Sequence, residues 1–407
     1  MDQERSIPAE LPAAQEPLTA IELPAGVVIA PEHRRRGLLM LGVAVACVGF
    51  AMAWAMGVNS NFVADTMQLS GLQQGLLETF RESCGIIALG VLAMLAGLAE
   101  PLVGAGMLVL LAAGLSAYSI VPNFGWMVLA SMLWSQGLHV WMPLPNSMGM
   151  ALAEPGRTGH RLGQLGAAGA AGTAAGLLAA LLLNRAGLAI RPSWLVAGGA
   201  AMVAAGACLA IPRNIKTPGP RLVFRRKYAM FYLLSFLEGW RKQIFVAFAG
   251  YLLVKHYGTP LRTMLMLWIA IQGIGWIASP RVGRLVDRIG ERRVLVFYYS
   301  GLTLFFIGYA LIRDGNVLRA LYVIDSAFFV FTVALTTYVN RIAPPAEHTP
   351  TLSMGVAMNH VAAVTMPLVG GLLWKYAGYQ WVFVLGAAAA AASILAALRL
   401  PVHERHA

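Results

Sequence analysis

Charged residues are scarce in this chain. Only 12% of the 407 residues are Asp, Glu, Lys or Arg, whereas 58% are hydrophobic and the mean hydropathy is +0.68. A soluble globular domain carries roughly 25% charged residues. The polar residues are too few to cover a soluble surface, so the composition predicts a membrane protein whose solvent is lipid.

The short motifs of common enzymes and ATP-driven pumps are also missing. The sequence contains no phosphate-binding P-loop, no HExxH motif and no CxxC pair. Its three cysteines, Cys47, Cys84 and Cys208, lie singly in apolar runs and indicate packing residues. We therefore expect no enzyme and no cofactor, and the sequence assigns no residue to a metal site.

Long apolar runs fill most of the chain. A membrane-spanning helix needs about 20 predominantly apolar residues, and by that measure the sequence contains twelve candidate spans. They lie at 37–58, 73–97, 101–119, 124–150, 163–184, 192–211, 228–254, 260–280, 293–312, 318–340, 351–373 and 379–399. Six spans, a basic linker and six further spans indicate an internal duplication, with two pseudo-symmetric bundles around a central cavity.

The fold class expected from this pattern is an all-α membrane protein of twelve transmembrane helices. Its expected segments are a disordered cytoplasmic N-terminal tail at 1–36, a six-helix bundle at 37–211, a cytoplasmic linker at 212–227, a second six-helix bundle at 228–400 and a C-terminal tail at 401–407. The first of these is polar and proline-rich, which is typical of disorder. The apolar run that follows it is too long for the core of a cleavable signal peptide.

Positive charge is distributed unevenly between two sets of loops. The N-terminal segment, the even-numbered loops and the C-terminal segment carry twenty Lys and Arg residues, whereas the odd-numbered loops carry seven. Cytoplasmic loops carry an excess of Lys and Arg, so both termini are predicted to be cytoplasmic, in the inner membrane of a bacterial-type cell. The net charge of +12 lies in short loops, which favours contact with anionic lipid headgroups and not with nucleic acid.

The segment 283–293, with the sequence GRLVDRIGERR, is a dense group of charges between two predicted spans. Its two glycines permit close backbone approach, and Asp287 suits the positive N-terminus of a neighbouring helix. Its arginines can pair across the two bundles or bind lipid headgroups. We expect a cytoplasmic gating loop here, with Gly283, Asp287, Arg288, Gly290 and Arg292 as its functional residues.

This segment resembles the G-x-L-x-D-R-x-G-R-R signature that transporters of the major facilitator superfamily carry between helices 8 and 9. It departs from the signature at Glu291, where a basic residue is usual. The family repeats the signature between helices 2 and 3, where this chain keeps only Gly97 and Glu100. In helix 4, Leu133 stands where the resemblance would place a proton-coupling arginine, which argues against a standard drug–proton antiporter.

The resemblance covers about 37–400. It implies the fold of that family, in which two six-helix bundles rock around a central site, and it favours a monomer that binds a small-molecule substrate. It also implies that the acidic residue of the signature contacts the N-terminus of helix 11.

Seven charged side chains fall inside the predicted spans and more than three residues from either end. They are Glu78, Arg81 and Glu82 in helix 2, Glu238, Arg241 and Lys242 in helix 7, and Asp325 in helix 10. Both triplets have i, i+3, i+4 spacing, which places each on one helix face. A charge inside a span costs several kcal/mol, so each of these residues is a candidate functional residue.

We interpret the acids as proton carriers, because a carboxylate in a low-dielectric medium takes up a proton more readily. Asp325 and Glu238 are preferred, with Glu78 and Glu82 as alternates. The candidate substrate ligands are Arg81, Arg241, Lys242, Gln136, His139, Gln272, Asn359 and His360. The alternative interpretation is that the charges of each triplet only neutralise one another. The two histidines could otherwise be proton relays, metal ligands or packing residues.

These observations predict a secondary active transporter that moves a small polar or charged organic solute by alternating access, with protons as the coupling ion. Three alternatives stay open from the sequence. The chain could be a sensor or assembly factor of the same fold that transports nothing. Within transport, it could be a multidrug/proton antiporter or a transporter of a metal or metal chelate.

Overall fold

The computed structural model describes residues 30–154, 156–217 and 224–401, which are almost entirely helical. Most of the predicted N-terminal tail, the middle of the linker and nearly all of the C-terminal tail lie outside these residues. In chain order the helices are α1 (Pro31–Asn61), α2 (Gly71–Met94), α3 (Glu100–Ala117), α4 (Phe124–Trp141), α5 (Leu144–Leu152), α6 (Thr158–Arg185), α7 (Ile190–Leu209), α8 (Ala229–Ile244), α9 (Gly250–Lys255), α10 (Leu261–Ile289), α11 (Glu291–Leu311), α12 (Gly315–Phe328), α13 (Val333–Ile342), α14 (Pro345–Tyr376) and α15 (Tyr379–Leu398).

These helices form twelve spans, because three spans are each built from two helices. The pairs are α4 with α5, α8 with α9 through a π-helical turn, and α12 with α13 through a 3₁₀ turn. Nine of the described helical segments are long and apolar enough to cross a membrane. Two of the other three spans carry the charged triplets, which lower their hydropathy. The predicted all-α architecture of twelve spans in two six-helix bundles is confirmed.

The segment 283–293 is not a loop. Helix α10 continues to Ile289, because Val282 and Val286 are buried one turn apart in the core of the second bundle. Gly290, with φ +84°, separates α10 from α11. The expectation of close backbone approach at Gly283 is wrong, since a Cβ there would meet open space.

A matching turn lies at the start of α3 in the first bundle. Gly97 has φ +82°, so it corresponds in position to Gly290 and not to the first glycine of the signature. The amide of Gly97 donates to the carbonyl of Thr217 at 3.0 Å, and the amide of Glu100 donates to that of Ile215 at 2.8 Å. The beginning of the linker therefore pairs with the α2–α3 turn.

The two bundles contact each other mainly through α2 against α14 and α6 against α10. Gly75 permits a very close approach of α2 to α14, since a Cβ there would lie 2.3 Å from the carbonyl oxygen of Pro367. We call the end of the bundles where α1 begins and α15 ends the termini face, and the other end the opposite face.

The polar contacts between the bundles are concentrated at the opposite face. Tyr251 donates to the carbonyl of Leu69 at 2.6 Å, and Asn61 donates to the carbonyl of Thr259 at 3.0 Å. The remaining polar contacts between described residues of the two bundles lie between this face and the middle of the spans. The bundles are therefore closed at the opposite face.

Candidate functional site

The charged residues predicted inside the spans form two networks, one in each bundle, near the middle of the spans. In the first network, Arg81 lies between Glu78, with which it forms a salt bridge, and Glu82, whose Oε1 is 3.5 Å from Arg81 Nη2. The guanidinium lies over the ring of Trp134, 5.4 Å from its centroid. Ser135 of α4 donates to the carbonyl of Arg81 at 2.7 Å, which fixes α2 against α4.

The second network joins α8 to α11 and α12. Arg241 Nη2 lies 2.5 Å from Glu238 Oε1, and Arg241 Nη1 lies 3.8 Å from Asp325 Oδ1. The hydroxyl of Tyr298 donates to Glu238 Oε1 at 3.0 Å, and the Phe329 ring covers the guanidinium with its centroid 4.2 Å away. Arg241 and Asp325 are fully buried.

In each network a guanidinium is paired with a carboxylate, which supports the interpretation that charges within a triplet neutralise one another. The positive and negative charges of the second network nevertheless do not balance. Arg241 is the single guanidinium for two buried carboxylates, those of Glu238 and Asp325. Neither oxygen of Asp325 accepts a hydrogen bond from the described residues. This network can therefore hold one extra proton, because a proton on a carboxylate would remove the uncompensated negative charge.

The two bundles meet between these networks, at the middle of the spans. Glu82 Oε2 of α2 lies 3.9 Å from His360 Nδ1 of α14, and the rings of His139 and His360 are 5.1 Å apart. Lys242 lies close enough to interact electrostatically with both Glu82 and His360. We call Glu82, His139, Lys242 and His360 the junction cluster. Gly85 makes room for it, since a Cβ there would lie 2.4 Å from His360 Nδ1.

The other predicted ligands are less closely associated with these charges. Gln136 is half-buried on α4, and its Nε2 has no hydrogen-bond partner among the described residues. Asn359 donates to the carbonyl of Ser235 at 3.4 Å, inside its own bundle. Gln272 is half-buried on α10. No hydrogen bond between described residues joins it to either network.

The residues predicted for gating lie at the termini face. Asp287 and Arg288 are exposed at the end of α10, and Arg292 is half-buried in the first turn of α11. Glu291, the residue that departs from the family signature, forms an ion pair, since its Oε2 lies 3.2 Å from Arg341 Nε. The contact between Asp287 and the helix that begins at Pro345 stays a prediction.

Sequence reasoning missed several residues of the site. Tyr298 and Phe329 complete the second network from inside apolar runs, where nothing distinguishes them from lipid-facing aromatics. Gln74 donates to Glu78 at 3.3 Å and to the carbonyl of Ala247 at 3.0 Å, which links α2 to the other bundle. Its position one turn before Glu78 is a signal that could have been used.

Two strong ion pairs lie outside the spans at the termini face. Arg161 donates to both oxygens of Glu154, at 2.9 and 2.7 Å, and these bonds lower the pKa of Glu154 to about 2. Lys227 and Tyr228 bind Glu347 Oε2 at 2.7 and 2.5 Å, and they lower its pKa to about 2. These pairs hold the α5–α6 turn and the end of the linker in place.

The chain is similar to transporters of known structure. Residues 231–407 match the family model of the Major Facilitator Superfamily. The nucleoside transporter NupG aligns with a TM-score of 0.73 at 15% identity, over 89% of this chain and 99% of its own. A bacterial homologue of the human lysosomal transporter Spinster, solved inward-facing and unoccupied, aligns with a TM-score of 0.69 at 14% identity, over 90% and 98%. At these identities the alignments show the fold alone, and the resemblance seen in the sequence is confirmed.

Two curated relatives share a shorter segment. Both are named "Putative multidrug resistance protein MdtD", and they come from Cronobacter sakazakii (strain ATCC BAA-894) and Serratia proteamaculans (strain 568). They are 27% and 28% identical over 146 and 135 residues, which are 33% and 32% of this chain. The chain spans only 30% and 27% of the length of these relatives.

Proposed function

We propose that this chain, a multi-pass membrane protein with the major facilitator fold, is a secondary active transporter. In this proposal it moves a small polar or charged organic solute across the inner membrane by alternating access, and protons drive it. Both termini are cytoplasmic, so the termini face opens to the cytoplasm, and the transporter works as a monomer. The buried network of Arg241 with two carboxylates is the observation that carries the proposal.

This network supports proton coupling through its charge balance. A buried charge without a partner is strongly unfavourable, and its removal by protonation is the usual response. Glu238 and Asp325 compete for Arg241, so protonation of one carboxylate leaves the other fully paired. Helix α8, which carries Glu238 and Arg241, also carries Lys242, which interacts electrostatically with Glu82 of the first bundle. Proton uptake by this network can therefore be coupled to bundle movement.

The polar residues between the bundles support a polar or charged solute. The junction cluster offers a carboxylate, an ammonium group and two imidazoles, all half-buried. Gln136 presents an amide nitrogen that has no partner among the described residues. Groups of both signs can hold a zwitterion or a polar molecule with several hydrogen-bonding groups, whereas a hydrophobic cation would leave most of them unsatisfied.

A multidrug/proton antiporter is the second candidate. The names of the two curated relatives favour it, although Leu133 stands where such antiporters are expected to carry an arginine. The two functions differ in their substrates, so one reconstituted assay separates them.

The test is flux in proteoliposomes under an imposed pH gradient. Labelled nucleosides, amino acids and organic acids serve as polar probes, and ethidium serves as the drug probe. We expect one polar class to move, and we expect Asp325→Asn and Glu238→Gln to lose more than 90% of gradient-driven flux. Glu154→Gln is the control, because it removes a carboxylate outside the spans.

Two results would decide against the proposal. Selective movement of ethidium would favour the antiporter. No flux of any probe, with wild type and both acid variants equally insensitive to pH, would favour a sensor or assembly factor on the same fold.

A further inference from the structure

Three side chains of the junction cluster come together from three helices. Glu82 lies on α2, His139 on α4 and His360 on α14, and one possible ligand atom of each lies within 4.8 Å of the others. The first two belong to the first bundle and the third to the second bundle. An ion bound by all three would therefore join the bundles at the middle of the spans.

Each of the three side chains keeps a ligand atom available. Glu82 directs Oε1 to Arg81, which leaves Oε2 beside His360. His139 Nδ1 lies 2.8 Å from the carbonyl oxygen of Ser135, so Nδ1 carries the hydrogen and Nε2 keeps its lone pair. A backbone carbonyl orients many metal-binding histidines in this way. His360 Nδ1 is buried and has no hydrogen-bond partner among the described residues.

Two imidazoles and one carboxylate are a donor set that binds divalent transition metals, zinc above all, with water as a fourth ligand. Bonds of about 2.0–2.1 Å place tetrahedral ligand atoms roughly 3.3 Å apart. The Glu82–His360 separation of 3.9 Å is close to this value, and all three ligand atoms lie within 4.8 Å of one another. We propose that Glu82, His139 and His360 form a site for a divalent transition-metal ion of the zinc type, which holds the two bundles together.

The charges around the three ligands predict how substitutions would change metal binding. Arg81 is paired with Glu78 and so is largely neutralised. Lys242 is the cation that interacts with both Glu82 and His360, and it opposes a second cation there. Its removal should therefore tighten metal binding, whereas removal of a ligand should weaken it.

The experiment uses the purified full-length chain without an affinity tag and needs no transport. Zn²⁺ is titrated while thermal unfolding is followed, and Co²⁺ is titrated while its visible absorption is recorded. We expect one Zn²⁺ per chain to raise the apparent Tm and Co²⁺ to give the intense bands of tetrahedral coordination. His360→Gln and Glu82→Gln should weaken Zn²⁺ binding by tenfold or more, and Lys242→Gln should strengthen it severalfold.

His160→Gln is the matched control, since His160 is exposed on α6 at the termini face. The proposal fails if wild type gives neither a Tm shift nor a tetrahedral Co²⁺ spectrum. It also fails if His160→Gln weakens binding as much as His360→Gln, which would mean surface binding. Should a ligand variant not fold, the wild-type stoichiometry and the gain in Lys242→Gln still decide. A failed flux experiment would not affect the Zn²⁺ stoichiometry, the Tm shift or the Co²⁺ spectrum, because none of them depends on transport.

Discussion

Glu347 joins the linker to the second bundle through three partners. Arg225 and Lys227 lie 2.9 and 2.7 Å from its Oε2, and Tyr228 donates to the same atom at 2.5 Å. These contacts lower the pKa of the Glu347 carboxyl from 4.5 to about 2. A depressed pKa means that the carboxylate stabilises the fold above pH 4.5 and that this stabilisation is lost as the pH falls towards 2.

The expected result is a pH-dependent difference between wild type and Glu347→Gln. At pH 7 wild type should have the higher apparent Tm, and the difference should shrink between pH 4.5 and 2, because protonation removes the same charge that the substitution removes. Thermal unfolding in detergent at a series of pH values measures this. A difference that stays constant down to pH 2 would show that the ion pair is not its source.

At the level of single residues, the sequence predicted the charged side chains of the site but not all of their partners. The charged residues inside the spans were found because polar residues are rare there and their spacing is regular. Their partners were not all found, because Glu82 meets His360 of another helix, and a distance between helices is not encoded in spacing along the chain. Tyr298 was missed because its hydroxyl, and not its ring, binds Glu238.

Two glycines at the end of α10 have different backbone conformations, so their substitution by alanine should have opposite effects on stability. Gly290 has φ +84° and ψ +156°, a region that is almost restricted to glycine. Gly283 lies inside α10, where a Cβ would meet open space. We expect Gly290→Ala to cost about 1–3 kcal/mol through backbone strain. Gly283→Ala should stabilise by about 0.5–1 kcal/mol, since alanine favours the helix.

Thermal unfolding of the two variants side by side measures this contrast. Equal Tm values for Gly283→Ala and Gly290→Ala would contradict the backbone argument. A loss of stability confined to Gly283→Ala would instead support the close approach expected from the sequence.

At the level of helices, the sequence predicted the number and order of spans well, because about 20 apolar residues are needed to cross a bilayer. It placed the end of α10 too early. The run of arginines suggested a loop, but Val282 and Val286 continue the buried face of the helix to Ile289. The breaks inside three spans were also not predicted. Pro143 and Pro145 are a local signal for the break between α4 and α5, whereas the π-helical and 3₁₀ turns in the other two spans contain neither proline nor glycine.

The whole molecule is closed at the opposite face, and this state could not have been predicted from the sequence. Under the proposed function, one sequence must support two states of similar free energy, so the state depends on a few contacts between bundles. Here these include the hydrogen bonds from Tyr251 to Leu69 and from Asn61 to Thr259. The sequence marks neither pair, because each uses a backbone carbonyl as its acceptor.

Removal of one of these contacts should shift the balance between the two states. Tyr251→Phe deletes the hydrogen bond to Leu69, which is worth about 0.5–1.5 kcal/mol net. The population open at the opposite face should then rise about two- to tenfold relative to the closed one. Tyr257→Phe is the control, because the partners of the Tyr257 hydroxyl among the described residues, Ile312, Arg313 and Tyr379, all belong to its own bundle.

Spin labels on cysteines introduced at Arg185 and Leu311, at the ends of α6 and α11 at the opposite face, report the separation of the bundles there. The native cysteines are replaced by alanine in this background. Tyr251→Phe should lengthen the distance distribution and Tyr257→Phe should leave it unchanged, because only the first substitution removes a contact between bundles. The same distribution in wild type and Tyr251→Phe would mean that apolar packing, such as Leu265 against Gly57, closes this face instead.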